Sequence, residues 1–120
     1  MSDKSHNARS LYLVDETVIV AQNDAAVFAD AALQKHVEMI NRSLSLIDGA
    51  LRMYAHQSDD ELMIHRLAIR CFNSGAASLR LARCGYYSQC VSVVRDIMES
   101  TLLLDLFKRE PAKITATKKY

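Results

Sequence analysis

Glycine and proline are scarce in this chain, three and one in 120 residues, and tryptophan is absent. So few turn-formers exclude a strand-rich architecture with its many reversals and leave room for long elements. Long elements are helices, because strands average only about 5 to 6 residues. No run approaches the roughly 18 consecutive apolar residues of a membrane span, and the polar opening MSDKSHNARS lacks the apolar stretch of a secretory signal. A bacterial or general cytoplasmic location is expected. A formal net charge of +1 supplies no global field for nucleic acid or an anionic membrane, so any such partner must be held by a local patch. The cysteines are few and odd in number: Cys71, Cys84 and Cys90 each lie in or beside an apolar helical pattern and read as reduced packing residues.

What is present is ordinary globular material, half hydrophobic and about a quarter charged, enough for one domain with one modest core. Residues 1–22 read as an N-terminal arm, with LYLVDETVIVAQ as a short strand, an irregular anchor or a helical turn. Asn23 and Asp24 are cap-type residues before an alanine-rich stretch, so a first helix is expected over 23–57. Its seam, Leu33, Val37, Ile40, Leu44, Ile47, Leu51 and Tyr54, recurs at steps of 4 and 3 and marks a helix packed lengthwise on others.

Ser58 followed three residues later by Glu61 is a capping-box arrangement, which opens a second helix over 58–84. Ile64, Leu67, Ala68, Cys71, Phe72, Gly75, Leu79 and Ala82 share one face of it. Its middle, SGAAS from Ser74 to Ser78, has only small side chains and suits a close helix crossing. Gly85 stands where a left-handed C-terminal cap wants glycine. A third helix is expected over 87–110, ending at Pro111 and followed by a polar, basic tail over 111–120. The expected fold is therefore all-α: three long antiparallel helices in a bundle, with a short N-terminal arm or extra element.

Two groups of residues could carry function. Arg95, Asp96 and Glu99 sit within one turn of the third helix, with Tyr86 at its start, and could anchor a phosphate or pair a carboxylate with an arginine. The plain alternative is a salt bridge, worth roughly 0 to 1 kcal/mol when exposed. Arg66, Arg70, Arg80 and Arg83 on the second helix, beside His65, could meet phosphates. No aromatic residues interleave with them to stack bases, and Asp59, Asp60 and Glu61 lie at one end, so a solvated face is the simpler reading. No metal-ligand spacing, nucleophile elbow or glycine-rich phosphate loop is present, and no cofactor is expected.

Residues 77–114, carrying Gly85, Tyr86, Arg95 and Glu99, resemble a Gly-Tyr…Arg-x-x-x-Glu segment of uncharacterised bacterial helical-bundle proteins. Those bundles are similar to HEPN-type domains, some of which are RNA-cleaving toxins, which would imply a nuclease or RNA-binding role. The active HEPN pattern, arginine then histidine after four to six residues, is missing, because Arg52 and His56 enclose only three. Proteins of that type run longer beyond Pro111, so a truncated or minimal version is expected, leaving Leu103, Leu106 and Phe107 in need of cover. The expected function is a noncatalytic helical interaction module. Its partner is another helical protein or a second copy, met through the third helix and the seam of the first.

Overall fold

Two aspartates start the first two helices. In the computed structural model, which describes residues 15–117, Asp15 Oδ1 accepts from the Thr17 and Val18 amides at 3.1 and 3.4 Å. That caps α1, Glu16–Ala29. Asp30 then breaks the chain with an extended backbone and caps α2, Ala31–Met53, by accepting from Ala32 and Leu33 at 2.9 and 3.2 Å. The single first helix expected over 23–57 is thus two helices with a corner at Asp30. Asn23 and Asp24 lie inside α1 and do not cap α2, and the part of the expected arm over 16–22 is helical. The rest of that arm, 1–14, and the last three residues lie outside the described residues.

α3 runs Asp59–Arg83, α4 Tyr87–Arg109 and α5 Ala112–Thr117, so the described residues are all-helical and contain no strand. Here local sequence rules decide the boundaries. Ser58 Oγ accepts from the Glu61 amide at 3.2 Å, and Glu61 reaches back to the Gln57 amide at 2.6 Å. At the other end of α3 the Tyr86 amide donates to the Leu81 carbonyl at 2.9 Å and Gly85 to Ala82 at 3.1 Å. That is a Schellman cap, and it needs the left-handed backbone of Gly85, φ 86°. A side chain there would also meet Ile19 Cγ2 at 3.0 Å, so the same glycine lets α1 lie against the corner.

α3 is the central element, packed by α4 along its length and by α2 from the other side. The close approach at Gly75 is to α2: a Cβ on Gly75 would stand 2.7 Å from Leu44 Cδ2. The buried apolar residues are Leu67 and Cys71 of α3, Phe107 of α4 and Ile114 of α5. Leu67, Phe107 and Ile114 form one cluster, with Met63, Leu103 and Leu104 packed on it. The expected tail therefore contains a short helix, which Pro111 starts rather than forbids, and its one branched apolar residue closes the bottom of the core. α2 contributes no fully buried residue. Of its seam, Val37, Leu44, Ile47 and Leu51 are half-buried, whereas Leu33, Ile40 and Tyr54 are exposed.

Ser100, in the middle of α4, is wholly buried, and its Oγ has no hydrogen-bond partner among the described residues. Ser43, Ser92 and Thr101 instead donate to the carbonyl four residues back. A buried hydroxyl without a partner destabilises, and alanine keeps the close helix approach without that penalty. Ser100→Ala is expected to raise unfolding stability by about 1 kcal/mol, read from urea melts followed by circular dichroism; a loss of stability would show that Oγ is satisfied in solution.

Candidate functional site

The polar residues singled out on α4 do not converge. Arg95 and Glu99 face solvent with side chains 82% and 57% exposed, and their Nε to Oε1 distance of 3.4 Å is long for a hydrogen bond. Asp96, one residue on, turns the other way and is taken by α3. It accepts from Arg70 Nε at 3.1 Å and again from Arg70 Nη2, while Ser74 Oγ donates to it at 2.7 Å. Tyr86 stands at the start of α4, its hydroxyl donating to Glu16 of α1. The four candidates are thus spread over three separate contacts.

The basic face of α3 is likewise divided. Arg70 serves Asp96, and Arg83 grips Asp24 of α1 with Nε–Oδ1 and Nη2–Oδ2 distances of 3.0 and 2.8 Å. Arg66 and Arg80 are exposed and make no ion pair among the described residues. Both bidentate pairs hold helices together, a use for which the planar guanidinium is suited. Hydrogen bonding to Arg70 and then to Ser74 holds the Asp96 carboxyl below its ordinary value of 3.8. Hydrogen bonding to Arg83 does the same for Asp24. The Glu16 carboxylate raises the Tyr86 phenol, because it accepts the hydroxyl proton.

Around Arg83 the contacts make a polar latch that sequence reading missed. Asn23 donates from Nδ2 to the Arg83 and Ala82 carbonyls at 2.8 and 3.3 Å, capping the end of α3 and adding a second donor to the Ala82 carbonyl that Gly85 already meets, and its Oδ1 accepts from the Tyr87 hydroxyl at 3.2 Å. Asn23 and Asp24 have cap-type side chains, and Asn23 does cap a helix, but that helix is α3, about 60 residues away.

A groove of about 460 Å³ opens where α2 turns into α3, lined by Ile47, Leu51, Tyr54, Ile64 and His65. At its rim the rings of His56 and His65 meet edge to face, 6.2 Å between centroids. The walls are apolar, and neither a nucleophile with its base nor a pair of carboxylates faces into them. Among the described residues no three His, Cys, Asp or Glu side chains come together as metal ligands. Cys71, Cys84 and Cys90 are free thiols, the first buried and the others half-buried.

The larger feature is apolar surface. Among the described residues four apolar residues are buried, whereas seventeen large ones are exposed, among them Met53 and Phe28 at 82%. On α4 the exposed set, Tyr87, Val91, Val94, Met98, Leu102 and Leu106, forms a stripe on the side opposite Ser100 and Phe107, interrupted by Asp105, which pairs with Arg109 at 3.0 Å. α4 is therefore apolar on both its faces. No helix among the described residues is long and apolar enough to cross a membrane.

Comparison with known proteins finds no matching family, no matching curated protein and no matching solved structure.

The ion pair between α3 and α4 has a definite pH signature. Because the folded-state pKa of Asp96 lies below its unfolded value, its stabilisation is complete above about pH 4 and is lost as pH falls through the lowered folded value. Asp96→Asn is expected to flatten the acid limb of stability against pH while leaving the neutral-to-alkaline limb parallel to the wild type. Urea midpoints measured down the acid range test this, and an unchanged acid limb would remove Asp96 from the account.

Proposed function

We propose that this chain is a noncatalytic helical interaction module that self-associates. The observation that carries the reading is the imbalance between a small buried core and the unpartnered apolar stripe of α4. An apolar face of a helix that no other element of the chain covers is suited to be covered by a partner. Contiguous exposed apolar patches mark interaction sites in folded proteins. A second copy is always available at the protein's own concentration, and most soluble oligomers are symmetric assemblies of one chain.

The polar groups support the same reading. Asp96 is engaged by Arg70 and Ser74, Tyr86 by Glu16, and Arg95 and Glu99 neighbour each other in solvent. None of them lines the apolar groove between α2 and α3. A nucleic-acid role, as RNA binder or HEPN-like nuclease, draws less support, because Arg70 and Arg83 are committed to aspartates and only Arg66 and Arg80 remain for phosphates. The likeness to HEPN-type bundles enters as fold-level analogy, which carries no activity by itself.

The expected result in sedimentation equilibrium is a mass that rises with concentration toward at least twice 13.5 kDa. Thermal midpoints should rise with protein concentration in step, because association stabilises only the folded state. A well-folded chain that stays monomeric up to high micromolar concentration overturns the reading.

A further inference from the structure

The outer face of α4 is organised in a way that names both its occupant and its geometry, given the self-association proposed above. Its apolar stripe runs from Tyr87 to Leu106, about 29 Å of helix. The midpoint of that run falls between Asp96 and Ile97. Beside the midpoint, on one flank, lie Arg95 and Glu99, exposed and joined to each other only at 3.4 Å. The two opposite charges are thus placed on one flank, close to the centre and on either side of it.

We propose that α4 packs against α4 of a second copy, antiparallel, about a two-fold axis passing between Asp96 and Ile97. Such an axis runs across the helix pair, so a given flank of one helix meets the same flank of the other. Residues then face each other in pairs symmetric about the midpoint. Val91 meets the partner's Leu102 and Tyr87 meets the partner's Leu106, while Val94 lies within one residue's rise of the level of the partner's Met98. Arg95 lies within one residue's rise, about 1.5 Å along the axis, of the level of the partner's Glu99. The symmetry makes the contact twice. The dimer exchanges two weak pairs, one within each helix, for two pairs across the interface.

Charge complementarity is what selects this occupant and this direction. In a parallel pairing the flank of Arg95 and Glu99 faces the opposite flank of the other helix, where Thr101 stands, and the charges find no partners. A stripe of this kind also suits a two-fold contact, in which one patch must complement itself. Opposite charges beside an apolar seam set partner orientation in paired helices.

The test uses the full chain and two charge-reversed variants. Arg95→Glu gathers four carboxylates around the axis, and Glu99→Arg gathers four guanidinium groups. Each is expected to raise the dimer dissociation constant by about tenfold or more, because like charges opposed across an interface repel. Mixed in equal amounts, the two variants are expected to form heterodimers with a constant within about threefold of wild type. Each variant alone loses the pair within its own helix, and mixing cannot repair that loss, so rescue on mixing reports contact between chains. If a reversed variant loses its helical circular dichroism, Arg95→Gln and Glu99→Gln replace the reversals, with a rise of about threefold expected in each.

A wild-type chain that dimerises while the variants keep its dissociation constant overturns the α4 geometry and leaves self-association standing. Weakening that mixing does not restore also overturns the geometry. A wild-type chain that never dimerises overturns both.

Discussion

The packing of α3 against α4 is the largest contact in the structure, and α3 is the element that each of the other four helices touches. α3 receives α4 on one side through Leu67 and Phe107, and it receives α2 on the other through Gly75. The corner between α3 and α4 is fixed by the left-handed Gly85, and the same corner is where α1 is latched by Asn23 and Asp24. α5 is positioned by its contacts with both α3 and α4, with Ile114 buried between them. Removing this one contact leaves α4 joined to α3 only through the Gly85 corner and takes from α5 half of its seat. Most of the fixed polar geometry follows from it as well, since Arg70, Ser74 and Asp96 meet only because α3 and α4 lie in this register.

What could be read from the sequence follows the range of the physics involved. Ser58 with Glu61, and Gly85 after Cys84, act within one turn of backbone, so the bounds of α3 and the start of α4 were legible from residue order alone. The break at Asp30 was not. Asn23, Asp24 and Asp30 all carry cap-type side chains, and the apolar pattern continues across them, so local rules cannot say which one leaves the helix. The choice falls to tertiary contacts, because Asn23 and Asp24 are held by the end of α3 some 60 residues later. The 4-3 seam of α2 predicted a helix correctly but overstated its burial, since spacing records which face is apolar and not how closely another element covers it.

The same limit applies to the candidate site. Arg95, Asp96 and Glu99 are adjacent in sequence, which made them look like one group, yet a helix turns by about 100° per residue. Asp96 therefore points toward α3 while its neighbours point away. Its partner Arg70 was also picked out, but as part of a basic stripe, and its pairing over 26 residues depends on helix register that a single sequence does not state. Ile114, placed in a polar tail, shows the converse: one branched residue after Pro111 was enough to close the core.

The structure therefore separates two uses of charge that the sequence shows as one. Arg70 with Asp96 and Arg83 with Asp24 join different helices by two hydrogen bonds each and fix how those helices lie. Arg95 with Glu99 joins one helix to itself, at a distance where such a pair adds only about 0.3 to 0.5 kcal/mol. A pair so weak can be exchanged for contacts with another chain at little loss. In the antiparallel dimer proposed above, the apolar residues from Tyr87 to Leu106 would supply the drive for association and the charges its direction. Affinity and orientation would then reside on one helix, the helix whose other face already holds the fold together.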